Sequence, residues 1–183
     1  MNEFARTLEV LRDADVDFVV IGGVAHTAHG GAHLTYDLDI CYDRSPANIQ
    51  RLAKALESHH PRLRDVPEAV PFHSDAAAIS RGMNFTLTTD LGDLDLFGEV
   101  AGLGTYAHVL AFSSAIELLS RPCQVLSVEG LVRAKRAAGR PKDLLVLPEL
   151  EALLEMEPLV KPGTTEGAAA LDTSEGGDGQ EGS

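Results

Sequence analysis

Apolar side chains recur at helical spacing at the start of the chain. Phe4, Leu8 and Leu11 stand at i, i+4 and i+7 and predict an amphipathic helix over 3–14. The period then changes. Asp17-Phe18-Val19-Val20-Ile21 is an aromatic and β-branched run cut by Gly22-Gly23, which predicts a buried strand ending in a tight turn and leading into a helix over 24–29. From Tyr36 to Tyr42 the alternation is strict, with Leu38 and Ile40 on one side and Asp37 and Asp39 on the other. Ser45 and Pro46 supply an N-cap and a first-turn proline for a helix to about residue 58, whose buried stripe is Ile49, Leu52, Ala53 and Leu56.

Residues 60–80, rich in Pro, Asp and His, read as a loop. Beyond them, Asn84–Thr89 and Asp93–Phe97 predict strands joined as a hairpin at Leu91-Gly92, and in the second strand Leu94 and Leu96 alternate with Asp93 and Asp95. Gln124–Val128 reads as a last strand and Glu129–Ala138 as a helix, with Gly139 and Pro141 as stop signals before a final helix over Asp143–Glu155. Mixed strands and helices of this kind predict an α+β domain built on one sheet, the antiparallel hairpin favouring α+β over α/β. No segment repeats at a fixed period, which excludes solenoids and propellers.

The composition changes after Val160: the last 23 residues hold six Gly, five acids, one Lys and a single large apolar side chain, Leu171. Such a segment cannot offset its ordering entropy, so 161–183 is expected to be a disordered acidic tail and 1–160 the folded domain. The whole chain carries a formal net charge of −13, of which the tail accounts for −4, leaving −9 on the domain. That balance argues against an extended nucleic-acid surface or an anionic membrane as partner, and it leaves room for a nucleotide delivered with a cation. No apolar run reaches the roughly 18 residues of a membrane-spanning helix, and no basic-then-apolar leader opens the chain. Cys41 and Cys123 lack C-x-x-C spacing and a triad-like setting, so a reducing cytoplasm is the expected location.

The chemistry concentrates in Ile21-Gly22-Gly23-Val24-Ala25, Gly30-Gly31 and Thr35-Tyr36-Asp37-Leu38-Asp39-Ile40. A Gly-Gly turn opening a helix lets backbone N–H groups approach a phosphate. Two carboxylates at i and i+2 of one strand can bridge a hard divalent cation such as Mg²⁺. Asp95, which lies deeper in its strand than Asp93, is the candidate third acid of a two-metal site. Other readings stand beside these. Alternating acids also mark the solvated face of an edge strand. Lys135, Arg136, Arg140 and Lys142 could simply complement a helix C-terminus, and Asp143 could cap the last helix or pair with a nearby Arg. His26, His29 and His33, at i, i+3 and i+7, offer an alternative structural metal site, although Gly30-Gly31 should break that helix first. Gly102-x-Gly104-x-x-Ala107 matches a dinucleotide fingerprint by letters and reads as a loop.

The order G-G-x-A, a later Gly, then T-x-D-x-D with apolar residues between and after the acids resembles the nucleotidyltransferases of the DNA polymerase β-like superfamily, over roughly residues 15–145. Within it, Gly22-Gly23-Val24-Ala25 looks like the aminoglycoside and lincosamide nucleotidyltransferases. The run from Lys135 to Asp143 is similar to the helical motif of AbiEii-type toxin nucleotidyltransferases. The resemblance implies a nucleotidyltransferase-like mixed sheet flanked by helices, and Mg²⁺-dependent transfer of a nucleoside monophosphate from a nucleoside triphosphate to an acceptor hydroxyl with release of pyrophosphate. By the same resemblance Gly22 and Gly23 are the phosphate-loop glycines, and Asp37, Asp39 and Asp95 are the metal-binding and catalytic acids. Lys135 with Arg136 or Arg140 would then hold the triphosphate, with Asp143 in the same motif. Many members have Gly-Ser at the turn; Gly23 in the Ser position leaves this chain to rely on backbone donors. A small molecule, a protein side chain and a tRNA end all remain open as acceptor. The alternative is a catalytically silent member of the same fold that binds a nucleotide or a partner in a regulatory or toxin–antitoxin role.

Overall fold

A computed structural model of the chain describes residues 3–32, 35–66 and 75–156. The expected tail over 161–183 and His33 lie outside the described residues, as does part of the predicted loop, 67–74.

Helix α1 (Glu3–Asp13) buries Ala5, Leu8 and Leu11. Strand β1 (Phe18–Val20) is buried throughout and runs through Ile21 into α2 (Gly22–Ala28), so the two glycines are the first residues of the helix rather than a turn before it. Strand β2 (Asp37–Tyr42) follows, then α3 (Pro46–Glu57), where the Ser45 hydroxyl accepts from the Asn48 N–H as an N-cap. Buried Asn48 ties this helix to the sheet. Its Oδ1 accepts from the Asp17 N–H at 2.7 Å and its Nδ2 donates to the Asp17 and Asp43 carbonyls at 3.0 and 2.8 Å.

The segment read as a loop contains two short elements, β3 (Arg62–Leu63) and α4 (Ala76–Arg81), the latter capped by the Asp75 carboxylate, which accepts from Ala78 N–H. The predicted hairpin is present as β4 (Asn84–Thr89) and β5 (Gly92–Phe97). After it, β6 (Glu99–Val100) and β7 (Gly104–Thr105) form a miniature sheet whose turn holds Gly102 at φ +75°, so of the fingerprint-like glycines Gly102 is a turn residue and Gly104 opens the short strand β7. Helix α5 (Tyr106–Ala111) leads into a hairpin of β8 (Ser113–Leu118) and β9 (Arg121–Leu126). The last strand is therefore 121–126 rather than 124–128, and β8 had no counterpart in the sequence reading. Helix α6 (Val128–Ala138) ends on Gly139, left-handed at φ 62°, and Pro141 opens α7 (Pro141–Met156) instead of terminating a helix.

Seven strands form one mixed sheet in the order β3-β4-β5-β2-β1-β9-β8, with β2 parallel to β5, β1 parallel to β9 and the other pairs antiparallel. Val19, Leu38, Ile40, Leu94, Leu96 and Val125, from the four central strands, are fully or almost fully buried in the core, and α1 packs on β2, β5 and α3. On the chain's C-terminal side α6 packs on α2 and α7. No helix among the described residues is long and apolar enough to cross a membrane. The expected α+β class with a helix-flanked mixed sheet is what the chain adopts.

Candidate active site

The site begins with register. Parallel pairing of β2 with β5 sets Asp37 opposite Asp93 and Asp39 opposite Asp95. Side chains two apart on a strand share a face, so four carboxylates crowd one face of two neighbouring strands while Leu38, Ile40, Leu94 and Leu96 fill the core behind them. Asp37, Asp39 and Asp95 converge: one oxygen from each lies within 4.8 Å of the others.

Like charges this close are costly, and burial raises the cost. The Asp39 carboxyl is pushed up from 3.8 to about 7, first by desolvation and then by Asp37 and Asp95. Lys135 and the Gly23 N–H, which donates to this carboxylate, pull the other way. Asp95 is also raised, chiefly by burial, with the Arg64 guanidinium opposing. Asp37 is steadied by the Thr35 hydroxyl, which donates to its Oδ1 at 2.6 Å. Gly22 makes the approach possible. Its φ is +63°, and a Cβ there would sit 2.0 Å from Asp39 Oδ2.

A cleft of about 430 Å³ opens over these acids, with Gly22, Gly23, Thr35, Asn84 and Phe97 among its lining. Its far wall comes from α6 and α7 and is basic. Lys135 Nζ donates to Asp143 Oδ1 at 2.8 Å and Arg140 Nε to Asp143 Oδ2 at 2.5 Å, and all three residues line the cleft with Lys142. Asp143 is completely buried. Burial alone would raise its pKa, but the hydrogen bonds from Arg140 and Lys135 hold the carboxyl below the usual range. Asp143 is thus the partner of nearby cations, the second of its two sequence readings. Arg136 is not brought to this cleft: its guanidinium pairs with Glu151 at 2.6 Å on the exposed side.

Arg64, just after β3, was not singled out in the sequence. Its guanidinium reaches over β4, with Nη2 2.9 Å from Asp95 Oδ1, Nε 3.3 Å from Asp93 Oδ2 and Nη1 3.9 Å from Asp37 Oδ2. No local sequence signal marks it, because it lies on neither acidic strand and meets the acids only through strand pairing.

Of the histidine alternative, only His26 and His29 lie among the described residues. His29 Nε2 lies 2.9 Å from the Leu126 carbonyl oxygen, buried His26 lies 3.6 Å from Glu149, and the one cluster of potential metal ligands among the described residues is the aspartate trio. Cys41 is fully buried, and desolvation pushes its thiol up to about 12, which removes it as a nucleophile.

The trio fits a hard divalent cation. It offers only carboxylate oxygens, the donor type of Mg²⁺ and Mn²⁺, and Asp39 is strained toward protonation in the way a bound cation would relieve. No family profile matches the sequence, and no curated protein matches it significantly. Solved structures do match in shape. The lincosamide antibiotic adenylyltransferase LnuA, in a lincomycin-bound crystal structure, superposes with a TM-score of 0.53 at 15% identity, covering 82% of this chain and 96% of that one. The solution structure of the antibiotic-resistance factor ANT(2'')-Ia superposes with a TM-score of 0.53 at 14% identity, covering 83% of this chain and 82% of the other. With the mixed sheet, its flanking helices and these likenesses together, the chain has the nucleotidyltransferase fold that its G-G-x-A and T-x-D-x-D wording resembled.

Proposed function

We propose that this protein is a divalent-metal-dependent nucleotidyltransferase that moves a nucleoside monophosphate from a nucleoside triphosphate to the hydroxyl of a small acceptor. The observation that carries the reading is the convergence of Asp37, Asp39 and Asp95 in a cleft whose opposite wall presents Lys135, Arg140 and Lys142. An acid wall facing a basic wall is what a metal–triphosphate needs: oxygen ligands for the cation on one side and donors for phosphate oxygens on the other.

Asp37 and Asp39, with Asp95, would hold Mg²⁺, which when bound supplies charge neutralisation on the phosphates and acidifies the acceptor hydroxyl. The chain's own groups do the rest. Gly22 keeps the backbone close to Asp39, and Asp143 holds Lys135 and Arg140 where they can receive the β- and γ-phosphates. Asp95, whose proton affinity is raised, would act beside the acceptor as metal ligand or as the base that takes its proton. The acceptor oxygen forms a bond to the α-phosphorus, the bond from that phosphorus to the bridging oxygen of the β-phosphate breaks, and pyrophosphate leaves. A small acceptor suits a cleft of about 430 Å³. The lincomycin-bound neighbour is in keeping with that class.

The test is titration calorimetry of ATP, GTP, CTP and UTP into the protein with and without Mg²⁺, repeated on Asp37→Ala/Asp39→Ala, followed by pyrophosphate release with pooled hydroxyl acceptors. Metal-dependent binding of a nucleotide that is lost in the double variant supports the reading. Folded protein that binds none of the four would refute it and leave the silent, partner-binding alternative.

A further inference from the structure

Four aspartates on one face of β2 and β5 repel one another, and repulsion favours turning the Asp95 carboxylate, on the strand nearer the sheet edge, away from its like-charged neighbours. Arg64 is built to prevent this. Its backbone N–H donates to the Thr86 carbonyl at 2.8 Å, fixing the chain beside β4, and Nη2 donates to the Leu87 carbonyl at 3.0 Å. The fork is held from a further side by Asp93, whose other oxygen accepts from the Thr88 hydroxyl at 2.9 Å. From that anchored position Nη2 also donates to Asp95 Oδ1 at 2.9 Å. Asp39 has no ion pair with Arg64, so the guanidinium grips the trio from the flank away from Asp39. Arg64 thus holds one oxygen of Asp95, Oδ1, while Asp95 remains one of the three converging carboxylates.

We propose that Arg64 is a positioning residue for the third acid, acting through Asp95, and that Asp93 serves to hold Arg64 rather than to bind the cation. The inference rests on the nucleotidyltransferase reading of the trio. The guanidinium sets a different nitrogen against each of three carboxylates, Nη2 against Asp95, Nε against Asp93 and Nη1 against Asp37, whereas Lys carries the same charge at a single point and cannot span them. That difference separates orientation from simple charge balance, since Arg64→Lys changes only the geometry.

The experiment is Mn²⁺ binding to the nucleotide-free full chain, read from the electron paramagnetic resonance of free Mn²⁺, for wild type, Arg64→Lys, Asp95→Asn and the double variant, each checked for fold by circular dichroism. Outer partners of metal ligands typically govern affinity by about 10–100-fold. Arg64→Lys is therefore expected to weaken Mn²⁺ by about tenfold or more, and to add nothing further in the Asp95→Asn background. In transfer assays kcat should fall with little change in KM for the nucleotide. Arg64→Lys binding Mn²⁺ like wild type would make Arg64 a mere counter-charge and overturn the proposal, as would additive effects in the double variant. Wild-type protein that binds no Mn²⁺ without nucleotide overturns this inference, while the function proposed above is decided by the nucleotide titration with and without Mg²⁺; failure of the Arg64 arm alone leaves that function standing.

Discussion

Replacing Asp39 by Asn should make the metal-free protein more stable at neutral and alkaline pH, although it removes a residue central to the site. The carboxyl is raised from 3.8 to about 7 by burial and by its acidic neighbours, and at about 1.4 kcal/mol per pH unit this corresponds to about 4 kcal/mol of unfavourable free energy for the ionised form. Water entry and side-chain relaxation in the open cleft reduce what can be recovered, so a gain of about 2 kcal/mol is the expected size, or about 4–8 °C in Tm for a chain of this length. The sign follows from proton binding. Between pH 4 and 7 the unfolded state has released its proton while the folded state keeps it, so Asp39 costs stability increasingly across that window and fully above it. The advantage of Asp39→Asn should thus be largest near pH 8 and fade toward pH 4. Urea unfolding in EDTA at pH 5, 6.5 and 8 measures it. Saturating Mg²⁺ should then stabilise wild type and narrow or reverse the gap, because the cation binds the folded ionised form. An Asp39→Asn protein no more stable than wild type in EDTA at pH 8 would refute the reasoning.

Gly22→Ala should cost about 1–2 kcal/mol for its left-handed backbone alone, and should also abolish tight Mn²⁺ binding, because the added methyl falls 2.0 Å from Asp39 Oδ2; unchanged affinity by calorimetry would show that Asp39 can move aside freely. Asp143→Ala should lose about 2 kcal/mol, less than the about 3–5 kcal/mol of a fully buried broken pair because Arg140 can rehydrate, together with nucleotide affinity, since its carboxylate holds both Lys135 and Arg140; urea melts and nucleotide titration measure the two losses. Cys41, fully buried and pushed up to about 12, and buried Cys123, also raised by burial, should resist a thiol reagent at pH 8 until urea unfolds the chain; stoichiometric labelling of folded protein would contradict the packing.

What the sequence disclosed of the fold follows from how each element is buried. β2 and β5 were legible because one face is core and the other acid, so apolar and charged residues alternate cleanly. β8 was not. It is an edge strand, Ser-Ser-Ala-Ile-Glu-Leu, with no fully buried residue, and its hairpin turns at Leu119 and Ser120, both at positive φ without the Gly or Asn that normally marks such a turn. α4 buries only Ile79 and spans six residues, too little for a periodic signal. Pro141 was read as a stop when it is a start, because a proline suits the position after one helix and the first turn of the next equally well.

The site divides along the same line. The i, i+2 acids and the Gly22-Gly23 pair are local patterns, and Lys135, Arg140 and Asp143 lie within nine residues of one another, so a reader of the chain meets them together. Arg64 is 31 residues from Asp95 in sequence, and only the strand order β3-β4-β5-β2 brings it over the acids. Net charge left room for the proposed ligand without saying where it would bind. A domain at −9 would repel a triphosphate if its charge were spread evenly, yet the cleft gathers Asp37, Asp39 and Asp95 on the sheet side and Lys135, Arg140 and Lys142, with Asp143 among them, on α6, α7 and the link between them. At separations well under a Debye length, about 8 Å at physiological salt, such local arrangement outweighs the total. The acidic sheet face then favours the cation and the helical wall the phosphates. The proposed metal-bound triphosphate, carrying both signs in one ligand, would satisfy the two walls at once.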